Sequence, residues 1–181
     1  MRIMIRQTAA LVTMVLVLSA VRAGRAEESL RITPFVRDNK VLVTFELDDA
    51  FTQAVHEAIA SGLRTTFSYD LELRTVVPGW IDRTIARTVV STTDQYDNLT
   101  RRHSLTRTVD GRIEDSITTD DESVVKLWLT KWTRVPVSDT SKLDPARDYY
   151  VQITTRARPL GGSLLGLTKS ITGSAKFTFI P

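Results

Sequence analysis

The side chains that most often do chemistry are few in this chain, and none has the spacing its chemistry needs. His56-Glu57-Ala58-Ile59-Ala60 opens like the helix of a zinc protease, in which two imidazoles one turn apart meet one metal. Position 60 is Ala, and the only other histidine is His103 on a predicted strand. The pattern therefore reads as a polar residue on a helix flank. Gly161-Gly162-Ser163-Leu164-Leu165-Gly166 has the glycine spacing of a phosphate loop, but Leu167 stands where the phosphate-reaching lysine belongs. With no cysteine, the chain has no disulfide, no thiolate nucleophile and no Cys-ligated metal site. Gly-x-Ser-x-Gly does not occur. Asp120, Asp121 and Glu122 read as acids favoured by a helix start rather than as a calcium loop. Asp94 and Asp97, beside a strand, are a weak ion site. With Asp82 they are also the carboxylates a hydrolase would use, given two of them about 5–10 Å apart in a cleft. The expectation is a chain that is not an enzyme, with no catalytic residue, no metal and no cofactor.

Two features remain as candidates for binding. Arginine outnumbers lysine 18 to 6, and Arg83, Arg87, Arg101, Arg102, Arg107, Arg112, Arg156 and Arg158 fall on predicted strands. Gathered guanidinium groups bind phosphate, carboxylate or an acidic partner. Arg83, Arg87, Arg101, Arg102, Arg107 and Arg156 are thus a candidate anion or partner face. The plainer expectation is a solvated sheet face with weak cross-strand Arg–acid pairs. The second feature is a candidate apolar contact loop, with Leu160, Leu164, Leu165 and Leu167 among glycines. Folding back on the domain is its alternative.

The elements that must position these residues are mostly strands. Leu30 to Val36 and Val41 to Leu47 flank Asp38-Asn39, a hairpin signal. Phe51, Ala54, Val55, Ala58 and Ile59 make one helical stripe, capped by Asp48 or Asp49 and ended by Gly62. Phe67, Tyr69, Leu71 and Leu73 alternate with polar residues. Pro78-Gly79 turns the chain into a strand from Trp80 to about Thr93. Leu99 to Val109 and Arg112 to Thr118 flank the Asp110-Gly111 turn. Thr119 and Glu122 fit a capping box that opens a helix carrying Val125, Trp128, Leu129 and Trp132, limited by Pro136. Strands at Tyr149 to Arg156 and Ala175 to Ile180 follow. Frequent hairpins and few crossovers predict an antiparallel β-sandwich of about eight strands with two short helices, in one domain over 27–181.

Residues 1–26 read as a signal peptide that routes the chain to the periplasm or outside the cell. Arg2 and Arg6 precede an uncharged run from Thr8 to Val21, and small-residue cleavage sites end at Ala23 and Ala26. The run is short of the roughly 20 residues that cross a bilayer. An integral membrane protein is therefore not expected after cleavage. The whole chain carries a formal +3. Arg2, Arg6, Arg22 and Arg25 all precede residue 27 and no acid does, so cleavage after Ala26 leaves 20 bases and 21 acids. That balance gives no reason to expect nucleic acid as a partner.

Trp80-Ile81-Asp82, Tyr96-Asp97-Asn98-Leu99-Thr100-Arg101, Trp128-Leu129, Leu143 before Tyr149-Tyr150-Val151, and Gly173-Ser174-Ala175-Lys176-Phe177-Thr178-Phe179 span most of the chain after the leader. On these words the chain resembles a bacterial family of unknown function, number 4390 in the domain-of-unknown-function series. The resemblance implies export and a signalling context, since genes of the family often neighbour that of a membrane histidine kinase, and it carries over no catalytic residue. The resulting expectation is a non-enzymatic envelope protein that binds a protein partner. A carrier of a small anionic ligand, lipid or glycan is the alternative, and a carboxylate-dependent hydrolase comes third.

Overall fold

A computed structural model describes residues 30–48, 50–159 and 170–180. The leader, and the loop leucines Leu160, Leu164, Leu165 and Leu167, lie outside the described residues. Nine strands form in chain order: β1 (Leu30–Arg37), β2 (Lys40–Leu47), β3 (Thr65–Thr75), β4 (Arg83–Asp97), β5 (Arg102–Val109), β6 (Arg112–Thr119), β7 (Lys131–Asp139), β8 (Tyr149–Pro159) and β9 (Ile171–Phe177). Helix α1 (Gln53–Ala60) precedes β3, and α2 (Glu122–Thr130) precedes β7.

The strands make two antiparallel sheets, in the orders β1-β2-β7 and β6-β5-β4-β3-β8-β9. Tight turns set their register. Asp38 and Asn39 both have positive φ (51° and 58°), as do Asp110 and Gly111 (48° and 79°). Two-residue hairpins need that conformation, which Asp, Asn and Gly tolerate best.

Alternation decides what is buried. Every odd position of β3 from Thr65 to Thr75 faces inward, and every even one is half-buried on the outer face. Val41, Val43, Phe45 and Leu47 of β2 meet this row in a common core with Val90, Leu105, Val151 and Ile153. Phe45 and Tyr69 pack tilted, with centroids 4.9 Å apart. Tyr69 keeps its hydroxyl satisfied by donating to the Leu129 carbonyl at 2.6 Å, so α2 is tied to the sandwich through its last turn. At one long edge the sheets close on each other. A Cβ on Gly173 would stand 3.1 Å from Leu30 Cδ2 and 3.4 Å from Ile32 Cδ1, so β9 passes β1 closely and a side chain there would have to push the ends of both residues aside.

Several local expectations are corrected. Helix α1 is two turns long and is capped by Thr52, whose hydroxyl accepts from the Val55 amide, rather than by Asp48 or Asp49. Helix α2 is capped by Asp121, which accepts from the Ser123 amide at 2.8 Å, so Thr119 and Glu122 form no capping box. Trp80 lies outside β4, 81% exposed. Leu99 stands in the β4–β5 turn, which Asp97 closes by accepting from the Leu99 amide and the Thr100 hydroxyl. Trp132 and Pro136 belong to a strand, β7. Pro136 is tolerated there because β7 is an edge of the three-stranded sheet.

Candidate functional site

The outer face of the larger sheet carries an open groove of about 600 Å³ over β3, β8 and β9. Strand alternation supplies its floor: Arg74 from β3, Tyr150 and Gln152 from β8, and Lys176 from β9, which pairs with Tyr150 in register. Residues 76–82 form its rim. That loop is fixed by the Trp80 amide donating to the Val77 carbonyl at 3.0 Å. The Val77 amide in turn donates to Asp82 Oδ1 at 3.2 Å.

Asp82 ties rim to floor. The Tyr150 hydroxyl donates to its Oδ2 at 2.8 Å. This bond, and then the Val77 amide, hold the carboxyl below the ordinary range. Burial, followed by the same bond, pushes the Tyr150 hydroxyl upward. Arg74 lies across the floor, donating from Nη1 to Gln152 Oε1 at 2.8 Å and from Nη2 to the Asp82 carbonyl at 3.1 Å. Its guanidinium carbon is 5.9 Å from the Tyr150 ring centroid, within reach of a cation–π contact. Held by this network, Trp80 and Ile81 project into solvent, 81% and 78% exposed. The result is a polar floor beside a fixed aromatic and aliphatic knob. It can seat another surface, and its charges are largely engaged already.

The six candidate arginines do not gather. Arg87 and Arg156 share the outer face, in a smaller groove of about 240 Å³ with Asp70 and Val89. Arg87 is paired there with Asp70, its Nε donating to Oδ1 at 2.7 Å, as a solvated cross-strand pair should be. Arg83 is exposed at the start of β4, opposite Thr75. Arg101 is in the β4–β5 turn with φ 55°, and Arg102 is opposite Asp97. Arg107 corrects the idea of one face most sharply. It falls on the inward parity of β5, after His103 and Leu105, and enters the sandwich edge. Its guanidinium carbon lies 4.2 Å and 4.7 Å from the ring centroids of Trp128 and Trp132. Nη2 donates to the carbonyls of Trp128 at 2.9 Å and Lys131 at 2.6 Å, closing the end of α2. Burial pushes its pKa down. This arginine is a structural pin.

The three acids considered for hydrolysis are also apart. Asp82 is in the outer groove and Asp97 closes a turn. Asp94 is fully buried on the opposite parity of β4 from Asp97. Its Oδ2 lies 2.9 Å from His103 Nδ1, and its Oδ1 has no partner. His103 has no neighbouring histidine in the sequence to mark it as functional. The signal available was parity: Asp94 and His103 are inward positions on paired strands, two residues apart along the β4–β5 ladder. Among the described residues, no three His, Asp or Glu side chains are arranged to hold a metal ion, and no helix is long and apolar enough to cross a membrane.

Comparison with curated proteins and with solved structures gives no match. The model of one family, described as Domain of unknown function (DUF4390), matches residues 28–159. That stretch runs from just before β1 to the end of β8 and covers more than half of the chain. The chain belongs to this family.

Proposed function

We propose that this chain is an exported, non-enzymatic interaction module of the cell envelope, accessory to a membrane sensor kinase. In this reading it holds a protein partner against the outer groove. The observation that carries the reading is the fixed, solvent-facing Trp80-Ile81 pair beside Arg74 and Tyr150. Trp, Tyr and Arg are the side chains that most often dominate protein interfaces. An exposed Trp on a hydrogen-bonded loop also loses little conformational freedom when it is covered.

The leader supports export, since an uncharged run from Thr8 to Val21 with arginine on both sides has the form of a cleaved signal. The dispersal of the arginines favours a protein partner over a small anion. A lone phosphate or lipid headgroup needs several free cations around one point, and Arg74, Arg87 and Arg107 are already engaged.

The test is site-specific photocrosslinking in envelope preparations. A crosslinker at position 80 is expected to give one discrete protein adduct, lost on Ile81→Asp. The same crosslinker at Ile113, 73% exposed on β6, is the control and is expected to give none. Equal labelling at both positions, or no adduct at position 80, overturns the reading.

A further inference from the structure

A second cavity, smaller and more enclosed, lies at the other end of the β3–β4 ladder from the outer groove. It holds about 130 Å³. Ile59 of α1 and Val125 of α2, both buried, form its apolar floor. Four rings stand around it. Phe51 meets His56 edge-on at 6.3 Å between centroids, and Tyr96 leans on His103 at 4.6 Å. Both histidines of the chain therefore face one space.

His103 is only 6% exposed. Its Nδ1 is committed to Asp94. Its Nε2, on the far side of the ring, has no hydrogen-bond partner among the described residues, and the ring lines the cavity. Unlike Asp94 Oδ1, this nitrogen is not sealed off, so water or a ligand in the cavity can reach it.

Charges of both signs stand at the mouth. Arg101 is held there by the β4–β5 turn, and Asp120 and Glu122 by the start of α2. Among the described residues none of the three is in an ion pair. A simple anion would meet two carboxylates at this mouth, and a simple cation would meet Arg101. A ligand carrying both charges satisfies all three.

Size narrows the class further. The space equals about four times the roughly 30 Å³ that a water molecule occupies in the liquid. That suits a compact ligand.

The geometry points to a small zwitterion, a free amino acid with a short side chain, as the ligand of this cavity. Its ammonium group lies between Asp120 and Glu122, and its carboxylate lies on Arg101. Its side chain rests on Ile59 and Val125 between the rings, and His103 Nε2 takes one polar atom. The site goes beyond the partner surface proposed above and stands without it, because the two share no residue.

Calorimetric titration of the purified chain with the standard L-amino acids tests this, together with NMR of the His103 ring. At least one small amino acid is expected to bind saturably and to shift the His103 ring signals. Glu122→Gln and Arg101→Ala are both exposed substitutions, and each should weaken binding about tenfold, the worth of one charge-assisted hydrogen bond. Methylamine and acetate, each carrying one of the two charges, should bind far more weakly than the amino acid. The proposal is overturned if no amino acid moves the His103 signals, if binding survives both substitutions, or if methylamine or acetate alone binds as well.

Discussion

Asp82 and Asp94 sit near opposite ends of the β3–β4 ladder, and the protein treats the two carboxylates in opposite ways. Asp82 is reached by solvent and by two donors, and its pKa is held down. Asp94 is sealed off with one donor for two oxygens, and burial raises its pKa although His103 pulls it back. Donor number and access to water decide the sign. The outer groove links Asp82, Tyr150, Arg74 and Gln152 in one hydrogen-bonded network, with Arg74 Nε left over. Around the inner cavity Arg101, Asp120 and Glu122 stand in no ion pair among the described residues. A networked surface suits contact with another protein, whereas unpaired charges around a small space suit a ligand that completes them.

The largest expected effect separates the two ends by stability. His103→Leu leaves Asp94 buried without its partner, and breaking such a pair costs about 3–5 kcal/mol. Urea unfolding at neutral pH measures it. The folded pKa of Asp94 is raised and would rise further without His103. Below that pKa the acid is neutral, so the loss should shrink as the pH is lowered. A loss that stays the same at acid pH would show that Asp94 is not the charged partner.

Tyr150→Phe, at the other end, should act on titration more than on stability. The folded pKa of Asp82 is depressed, so its contribution is present above the ordinary carboxylate pKa of about 3.9 and is lost as the pH falls through the folded value. Without the Tyr150 hydroxyl the folded pKa should move up towards the ordinary value, and the acid-side loss of stability should lessen. Carbon-13 NMR of the Asp82 carboxyl reads this directly, and an unchanged titration would mean the bond does not set it. The smallest effect belongs to Arg87→Gln. Its pair with Asp70 is exposed and screened, so the melting temperature should not change measurably. A clear drop would show that the outer face contributes more to stability than its exposure suggests.

How far these regions were legible in the sequence depends on how local their signals are. The inward row of β3 is written as an unbroken alternation from Phe67 to Leu73, and Asp38-Asn39 and Asp110-Gly111 name their own turns. Strand β7 was not legible. Its buried apolar residues are Trp132, Val135 and Val137. The three-residue step from 132 to 135 comes from an irregularity at Arg134, where φ is 55° and the register with β2 shifts. That step hides the period of two, while Trp128 and Trp132 mimic a continuing helical stripe. The inner cavity was illegible for another reason. His56, His103 and Glu122 come from three elements whose meeting depends on the packing of two helices against a sheet end. The arginine count, by contrast, gave composition without placement, and only the parity of β5 sends Arg107 inward.

The close passage of Gly173 under Leu30 and Ile32 has a consequence for how copies of the molecule coexist at high concentration. Unpaired strand margins invite neighbouring chains to add on. Here the margins of β1 and β9 shield each other, leaving β6 as the accessible border of the larger sheet among the described strands. That border displays Glu114 and Asp115, and the Ser116 amide is already occupied by the Asp115 carboxylate at 2.8 Å. Mutual repulsion and a spent donor thus discourage stacking along this border, beside the exposed Ile113 of the same strand.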